Sequence, residues 1–277
     1  MVKRNIPLIV VLIVLLAGCH ALFSGENQQP AQGLLSDAAT DDTARADSTE
    51  KTIPDIDMKH LLGHINPAAD KRFAKVKAPH TNRKDAYLLD EVYHAFVAMH
   101  DAARKDGISL TIVSATRTFD DQKRIWQRKW TGAQSVDGRN LAKKVPNPIE
   151  RARIILKYSS MPGTSRHHWG TDIDINSVEN AYFRSPQGRK VYAWLAAHAA
   201  EFGFCQVYTP KGNDRPQGYE EEPWHWSYCP IANHYLKQYT EKVTYKDITG
   251  FQGDHTAPQI DVIKHYVLAI NPRCLKP

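Results

Sequence analysis

Apolar residues recur at helical spacing in several stretches of the chain, and these stretches predict its helices. The first predicted helix carries five apolar side chains on one face: Leu89, Val92, Phe96, Met99 and Ala103. Gly107 follows them, at a position where glycine commonly caps a helix. Further helices are predicted over residues 120–130, 148–158 and 191–202, and a last one over 260–270. The polar, turn-rich segment 131–148 is predicted to be a surface loop.

Strands are predicted where apolar and polar residues alternate over a short stretch. Ile108–Ser114 and Thr171–Asn176 show this alternation, and in the second stretch Asp alternates with Ile. Phe204–Tyr208 and Trp224–Tyr228 predict two more strands, joined by a polar loop. Together these elements predict an α+β fold in which a small, mainly antiparallel sheet is flanked by helices.

The N-terminal segment differs from the rest of the chain. Lys3 and Arg4 precede the apolar run Ile6–Leu16, an order that is typical of a secretory signal peptide. The run is short for a membrane-spanning helix. Its end, Leu16-Ala17-Gly18-Cys19, resembles the bacterial lipobox, in which cleavage leaves the cysteine as the first mature residue and its thiol carries lipid. We therefore expect a lipoprotein signal peptide over residues 1–18 and lipid on Cys19; the alternative is an ordinary signal peptide with an unrelated cysteine.

The segment that follows has the composition of a tether. Residues 19–56 are rich in Gln, Ser, Thr, Asp and Ala and offer little to bury, so they are predicted to form a flexible, lipidated linker. Residues 57–277 are predicted to form the folded domain, with a helical extension at its C-terminal end. His20, rather than Asp, follows Cys19; by resemblance to Gram-negative lipoproteins this favours the outer membrane over the inner. The expected location is the cell envelope, with a lipid anchor in the periplasm.

Composition and charge narrow the choice of partners. Hydrophobic residues make up 42% of the chain and charged residues 24%, as in soluble globular proteins. The net charge is +6; without Lys3 and Arg4 it is 34 basic minus 30 acidic residues, or +4. This modest excess favours an anionic wall polymer as a partner. The chain shows no dense basic patch interleaved with aromatic residues, which argues against nucleic-acid binding.

Three cysteines follow Cys19 in the chain: Cys205, Cys229 and Cys274. Outside the cytoplasm two of them can form a disulfide, and the sequence leaves the three pairings open. We favour Cys205 with Cys274, because a long closed loop and a tied C-terminal tail gain most from a cross-link. None of the spacings is C-x-x-C, so a cysteine metal or redox site is not expected.

Two segments concentrate imidazoles and carboxylates. One runs from Ser165 to Asp174 and the other is Glu222-Pro223-Trp224-His225-Trp226. A catalytic zinc ion takes three protein ligands, and two imidazoles with one carboxylate form an established set. His167 and His225 are the candidate imidazoles, but Asp172 and Asp174 share a strand face and the pattern alone does not choose between them.

Two further charged residues fit the needs of a hydrolase. A free carboxylate must accept a proton from the attacking water, and Glu222 precedes His225 by three residues. A cation must face the charge that develops on the attacked carbonyl oxygen, and Arg117 follows the first predicted strand of the sheet. Each residue alone has an ordinary structural explanation, so the hypothesis depends on their combination.

The two segments together resemble the paired signature of the zinc D,D-carboxypeptidases and dipeptidases that include the VanY-like vancomycin-resistance enzymes. The pattern Ser-x-His-x-x-Gly-x-x-x-Asp is met by these residues: Ser165, His167, Gly170 and Asp174. The pattern Glu-x-Trp-His is met by Glu222, Trp224 and His225. Ser114, Arg117 and Gln122 also look like that family, and the similarity covers roughly Lys84 to Tyr228. One common form of the signature has Ala where this chain has Asp172, which leaves open whether Asp172 supports a ligand or contacts a substrate amine.

The resemblance implies a role for each residue of the signature. It implies zinc bound by His167, Asp174 and His225 at the sheet edge, and it decides between the two aspartates. Glu222 is implied as the catalytic base and Arg117 as the residue that stabilises the oxyanion. Ser165, Gln122 and Trp224 are implied to help hold the substrate.

The expected activity is hydrolysis of D-Ala-D-Ala bonds in peptidoglycan stem peptides by a zinc carboxypeptidase. Cleavage of an L,D bond or of an internal stem bond is a close alternative, because the same catalytic groups tolerate different pockets. A wall-binding lipoprotein without catalysis is a second alternative, although the complete residue set argues against it. A serine hydrolase using Ser165 and His167 is less favoured, because no Gly-x-Ser-x-Gly motif surrounds that serine.

Overall fold

The computed structural model describes residues 55–276. The predicted signal peptide, the lipidation site Cys19 and the tether up to residue 54 lie outside the described residues. The core begins with Ile56, which is 1% exposed and whose amide donates to Gln238 Oε1. It therefore starts one residue before the predicted domain boundary. Within residues 55–276, no helix has both the length and the apolar character needed to cross a bilayer.

The chain forms short strands between helices, as the sequence predicts. The first half contains α1 (Met58–Leu61), β1 (Phe73–Lys75), β2 (Tyr87–Leu89), α2 (Asp90–Lys105), β3 (Ile112–Ser114), α3 (Phe119–Trp130), α4 (Leu141–Lys144) and α5 (Pro148–Ile155). The second half contains β4 (Asp172–Ile175), α6 (Asn180–Arg184), α7 (Pro186–His198), β5 (Phe204–Gln206), β6 (His225–Tyr228), α8 (Cys229–Lys242) and α9 (Thr256–Ile260). Short 3-10 helices cover Arg166–Trp169, Ala199–Phe202 and Pro272–Leu275, and a π-helical turn covers Ile263–Val267.

A four-stranded antiparallel sheet forms the centre of the described domain, with the strand order β3-β4-β6-β5. The inner strands β4 and β6 are paired in a fixed register, so that Ile173 lies opposite Trp226. Successive side chains of a strand point to opposite faces, so one face of this pair is apolar and packs in the core. The other face carries the aspartates of β4. A second antiparallel pair is formed by β1 and β2.

The predicted helices and strands are present, with differences at their ends. The helix after Leu89 ends at Lys105, and Gly107 has the positive φ of 72° expected of a C-cap glycine. The helix that starts at Phe119 is fixed by a capping box between Thr118 and Asp121. The predicted strand Ile108–Ser114 is wrong in its first half. The Ile108 amide donates to the Ala103 carbonyl at the end of α2, and Ser109 and Thr111 bond to Asn176 rather than to a neighbouring strand.

Two predictions are corrected in the regions that follow, and one helix was missed. The predicted loop 131–148 contains α4, which is started by an Asn140 side-chain cap. The single C-terminal helix over 260–270 is instead broken, because Asp261 adopts the left-handed conformation with φ 55°. The 14-residue helix α8 was not predicted. It starts directly after β6 without a side-chain cap, so the usual N-terminal signal is missing.

A disulfide joins Cys205 of β5 to Cys274 near the end of the described chain, which confirms the favoured pairing. The two cysteines are separated by 69 positions, so the bridge closes a long loop and holds the C-terminal segment against the sheet. Cys229 is free and partly buried at the start of α8.

Candidate metal centre

The polar face of the inner strands places chemically active side chains directly opposite one another. Asp174 of β4 pairs with His225 of β6, and Asp172 pairs with Ser227 two residues away. All four side chains are buried. Asp174 and His225 therefore lie on the inner strands β4 and β6 and not at the sheet edge, where the ion site was expected. Arg117 follows the edge strand β3.

The three predicted ligands converge on a common point. His167 Nε2 and His225 Nδ1 each lie 3.4 Å from Asp174 Oδ1, and all three atoms lie within 4.8 Å of one another. His167 Nε2 and Asp174 Oδ1 are buried and have no hydrogen-bond partner within the described chain. Buried polar atoms are normally satisfied, so two that face each other without a partner indicate a site for a bound ion.

The His167 ring is oriented by a hydrogen bond to the backbone and by the tight turn that follows it. The ring belongs to the 3-10 helix Arg166–Trp169, and its Nδ1 donates to the Ala115 carbonyl at 2.8 Å. Nε2 is then the unprotonated nitrogen that faces Asp174. Gly170 ends this helix with φ 78°, and a Cβ there would lie 2.6 Å from the Phe73 ring. A glycine is thus required between the first two ligands, as the sequence indicated.

Asp172 supports His225 rather than facing the cleft, which answers the question left open by the sequence. Its Oδ2 accepts from His225 Nε2 and from Arg166 Nε, both at 2.9 Å. Its Oδ1 accepts from the Thr171 and Ser227 hydroxyls, both at 2.7 Å. Burial alone would raise the pKa of Asp172, but Arg166 and His225 hold it well below its usual range. An ionised carboxylate therefore fixes the His225 tautomer that leaves Nδ1 free for a metal.

His225 lies among carboxylates on both sides of its ring. Burial alone would lower its pKa, but hydrogen bonds to Asp172 and Glu222 and the charge of Asp174 raise the pKa to about 9. Such surroundings favour a positive charge at Nδ1, which can be a proton or a metal ion.

Arg117 connects the ligand Asp174 to the cleft. Its Nη2 donates to Asp174 Oδ2 at 3.0 Å, which leaves Oδ1 for the ion. Its Nε and Nη1 donate to Ser114 Oγ and Gln122 Oε1, each at 3.0 Å. Burial would raise the pKa of Asp174, but His167 and Arg117 lower it well below its usual range. The guanidinium is thus held on three sides, and its side chain is 22% exposed.

Glu222 lies where a proton acceptor is needed. Its Oε2 is 3.3 Å from His225 Nδ1, across the turn that precedes β6. Burial raises the pKa of Glu222 above its usual value, although His225 opposes this shift. A buried carboxylate with a raised pKa beside an ion site is suited to take up and release a proton.

A cleft of about 1080 Å³ opens over these groups and is lined by Arg117, Asp174, Glu222 and Trp224. Trp224 lines this cleft, and its contact with a substrate stays a prediction. Gln122 and Ser165 do not line the cleft. Gln122 is fully buried and holds Arg117, and Ser165 is 1% exposed with no partner for its hydroxyl among the described residues. Direct substrate contact by these two residues stays a prediction.

The chemistry of the donor set fits zinc. Two imidazole nitrogens and one carboxylate oxygen, each with a hydrogen-bonded partner behind it, form a set typical of catalytic zinc sites. The serine-hydrolase alternative is not supported, because His167 directs its nitrogens to Ala115 and Asp174 and not to Ser165.

Sequence reasoning missed Arg166 and Ser227 as supports of the centre. Both are fully buried and bind Asp172. A signal was present in the sequence: Arg166 stands inside the ligand motif, and Ser227 is two residues after His225 and so shares its strand face.

The comparisons with known proteins agree on one family. The sequence profile described as VanY, D-alanyl-D-alanine carboxypeptidase, matches residues 85–231, slightly more than half of the chain. The D-alanyl-D-alanine carboxypeptidase of Enterococcus faecalis is 32% identical over 133 residues, which cover 48% of this chain and 45% of that protein. The chain thus spans less than half the length of this relative. The enzyme of the same description from Enterococcus faecium is 24% identical over 236 residues, covering 77% of this chain and 67% of that protein.

A solved structure described as VanYB in complex with D-Alanine-D-Alanine is also similar. It aligns with a TM-score of 0.43 and 24% sequence identity, covering 61% of this chain and 93% of that one. All the residues of the metal centre lie inside the segment that the family profile matches.

Proposed function

Because the chain belongs to the VanY D-alanyl-D-alanine carboxypeptidase family, we propose that it is a zinc-dependent carboxypeptidase that trims peptidoglycan stem peptides. The bond that it hydrolyses is the terminal D-Ala-D-Ala bond or a related bond next to a D-amino acid. We also propose that it acts in the cell envelope, held to the membrane by lipid on Cys19. The observation that carries the catalytic proposal is the convergence of His167, Asp174 and His225 beside the carboxylate of Glu222.

His167 Nε2, Asp174 Oδ1 and His225 Nδ1 would hold the zinc ion. When bound, zinc supplies a Lewis acid that acidifies a water molecule and polarises the carbonyl group to be attacked. Glu222 accepts a proton from the attacking water, because its carboxylate lies beside the ion site and has a raised pKa. It later gives this proton to the leaving amine.

Arg117 has two roles in this proposal. Its hydrogen bond to Asp174 Oδ2 fixes the orientation of the ligand. Its exposed part faces the cleft, where it stabilises the negative charge that develops on the attacked oxygen. Trp224, which also lines the cleft and is 5% exposed, packs against the substrate.

Cleavage of an L,D bond or of an internal stem bond uses the same residues and differs only in how the cleft holds the peptide. Mass analysis of the products from a defined pentapeptide stem separates these activities. A wall-binding protein without catalysis would bind the same peptide without releasing an amino acid.

The test of the mechanism is the Glu222→Gln variant. Glu222 is not among the three proposed ligands, so we expect zinc content to be retained while hydrolysis of the pentapeptide falls by about 10²–10⁴-fold. Glu221→Gln is the matched control, because this neighbouring carboxylate does not line the cleft, and it should keep full activity. Normal hydrolysis by Glu222→Gln would show that the assigned base is wrong. A zinc-loaded wild-type protein that cleaves no stem peptide would refute the proposed function.

A further inference from the structure

One wall of the cleft carries a cation that is not paired with an acid. Lys129 lies near the end of α3, lines the cleft and is partly buried. Its Nζ donates to Ser159 Oγ at 2.5 Å. No carboxylate within residues 55–276 approaches its ammonium group to the 4.0 Å of an ion pair.

Lys129 differs from the other cations that line the cleft in being partly buried without an acidic partner. Three of them also lack an ion pair within residues 55–276, but they are exposed to solvent: Arg83, Arg128 and Arg184. The other two are paired. Arg117 is paired with Asp174, and Arg124 on the same helix is paired with Asp121. Burial lowers the pKa of Lys129, and the nearby charge of Arg117 lowers it further, while Glu222 opposes the shift. A partly buried ammonium group without a counter-ion is unfavourable, and an anionic ligand would offset that cost.

The hydrogen-bonding capacity of this pair points to the same ligand chemistry. An ammonium group has three donors, and Lys129 uses one of them on Ser159. Ser159 Oγ accepts that bond, so its own proton is free, and within the described chain it has no acceptor. Two N–H groups and one O–H group are thus available side by side in the cleft wall. This set of donors suits the two oxygens of a carboxylate.

The position of the pair relates it to the metal centre. Gln122 lies seven residues before Lys129 on the same face of α3, a distance of about 10 Å along the helix axis, and a helical side chain leans back toward the N-terminus. Gln122 binds both Arg117 and the carbonyl of Ser160, the residue next to Ser159. The donor pair therefore lines the same cleft as Arg117, the residue proposed to stabilise the oxyanion.

We propose that Lys129 and Ser159 bind a carboxylate of the peptide substrate and so determine which peptides the cleft accepts. This inference rests on the proposed function, because it concerns the substrate of the same site. The carboxylate has two possible sources in a stem peptide: the C-terminal carboxylate of the leaving residue, or a carboxylate further back in the stem. The donor set is the same for both, so the experiment must distinguish them.

The test compares three substrates with matched variants. The substrates are a pentapeptide stem ending in D-Ala-D-Ala, the same peptide with a C-terminal amide, and the same peptide with its internal carboxylates converted to amides. Lys129→Met removes the charge and the donors while keeping an unbranched chain of similar length. Lys123→Met is the control, because Lys123 is a partly buried lysine of the same helix that does not line the cleft. Ser159→Ala removes only the hydroxyl.

For the unmodified peptide, we expect Lys129→Met to raise KM by about 10- to 100-fold, with a smaller change in kcat and no change in zinc content, because a charge-assisted hydrogen bond is lost. Ser159→Ala should raise KM several-fold, and Lys123→Met should leave KM unchanged. The effect of Lys129→Met should disappear on the amidated peptide that lacks the recognised carboxylate, which identifies the source. An effect of equal size on all three peptides, or no effect on the unmodified one, would overturn the proposal.

Binding can be measured without turnover on the Glu222→Gln protein by calorimetric titration with the same peptides. Loss of affinity when Lys129→Met is added supports the carboxylate site even if the wild-type protein hydrolyses none of the peptides. Unchanged affinity overturns it. Failure of this inference is therefore separate from failure of the proposed peptidase activity.

Discussion

The buried pair of Arg166 and Asp172 gives the sharpest test of how the metal centre is supported. The side chains are 1% and 0% exposed and are joined at 2.9 Å. Asp172→Asn keeps the volume of the side chain but removes its charge and exchanges one acceptor oxygen for a donor. Arg166 then stays buried without its counter-ion, and His225 Nε2 keeps only a neutral amide oxygen in place of a carboxylate as its acceptor.

The expected magnitude follows from these contacts. Removing one partner of a buried ion pair typically costs about 3–5 kcal/mol of folding free energy. For a domain of this size, that corresponds to a fall in melting temperature of roughly 6–20 °C. Loss of the carboxylate behind a metal-binding histidine should also weaken zinc binding by about 10- to 100-fold.

The assay combines thermal unfolding of the protein, with and without zinc, and a competition titration against a chelator of known affinity. Arg166→Met/Asp172→Asn is the informative double variant. It removes the unpaired charge, so it should lose less stability than the sum of the single variants, by about 2–3 kcal/mol, while zinc binding stays weak. Asp70→Asn is the control for an ion pair at the surface, with Arg72, and should cost less than about 1 kcal/mol.

Two results would refute this reasoning. If Asp172→Asn unfolds at the wild-type temperature, the ion pair does not support the fold in the way that its burial indicates. If zinc affinity is unchanged, the negative charge of Asp172 behind His225 does not strengthen metal binding.

Two further predictions concern the backbone and the disulfide. Gly170→Ala should lower the free energy of unfolding by more than about 2 kcal/mol and weaken zinc binding, because it combines a positive φ with a clash against the Phe73 ring. Gly107→Ala, with a similar φ and open space, is the control and should cost about 1 kcal/mol. Equal losses for the two variants in chemical denaturation would show that the clash is relieved. Replacing Cys205 and Cys274 together by alanine should lower the unfolding free energy by about 4 kcal/mol, as expected for a loop of roughly 70 residues, with Cys229→Ser as the nearly neutral control. A double variant as stable as the wild type would mean that the C-terminal segment stays packed against the sheet without the disulfide.

The candidate ligands could be located from the sequence because their motifs are short, although the choice of Asp174 over Asp172 came from the family resemblance. His167 and Asp174 lie within one short motif, and His225 follows Glu222 in another. The fold class also followed from local patterns, since helical spacing and alternation identify most of the elements. The convergence of the two motifs was an inference from resemblance, and the register of β4 against β6 now supplies its physical basis.

What the sequence could not supply depends on contacts between distant segments. The role of Asp172 depends on Arg166, Ser227 and His225 together, and only the paired strands bring them into contact. The burial of Gln122 depends on packing against residues 159–160, which no periodicity reveals. The helix α8 was not predicted because it begins directly after the last residue of a strand, where no side-chain cap marks its start.

The direct pairing of Asp174 with His225 has a consequence for how this domain can evolve. A one-residue insertion or deletion inside either inner strand would reverse every side chain beyond it, bringing Ile173 or Trp226 to the ion and sending a ligand into the apolar core. Length changes in these eight codons should therefore be purged in any descendant that keeps its activity. Substitutions along the cleft wall carry no such restriction, and they are where new peptide preferences should arise.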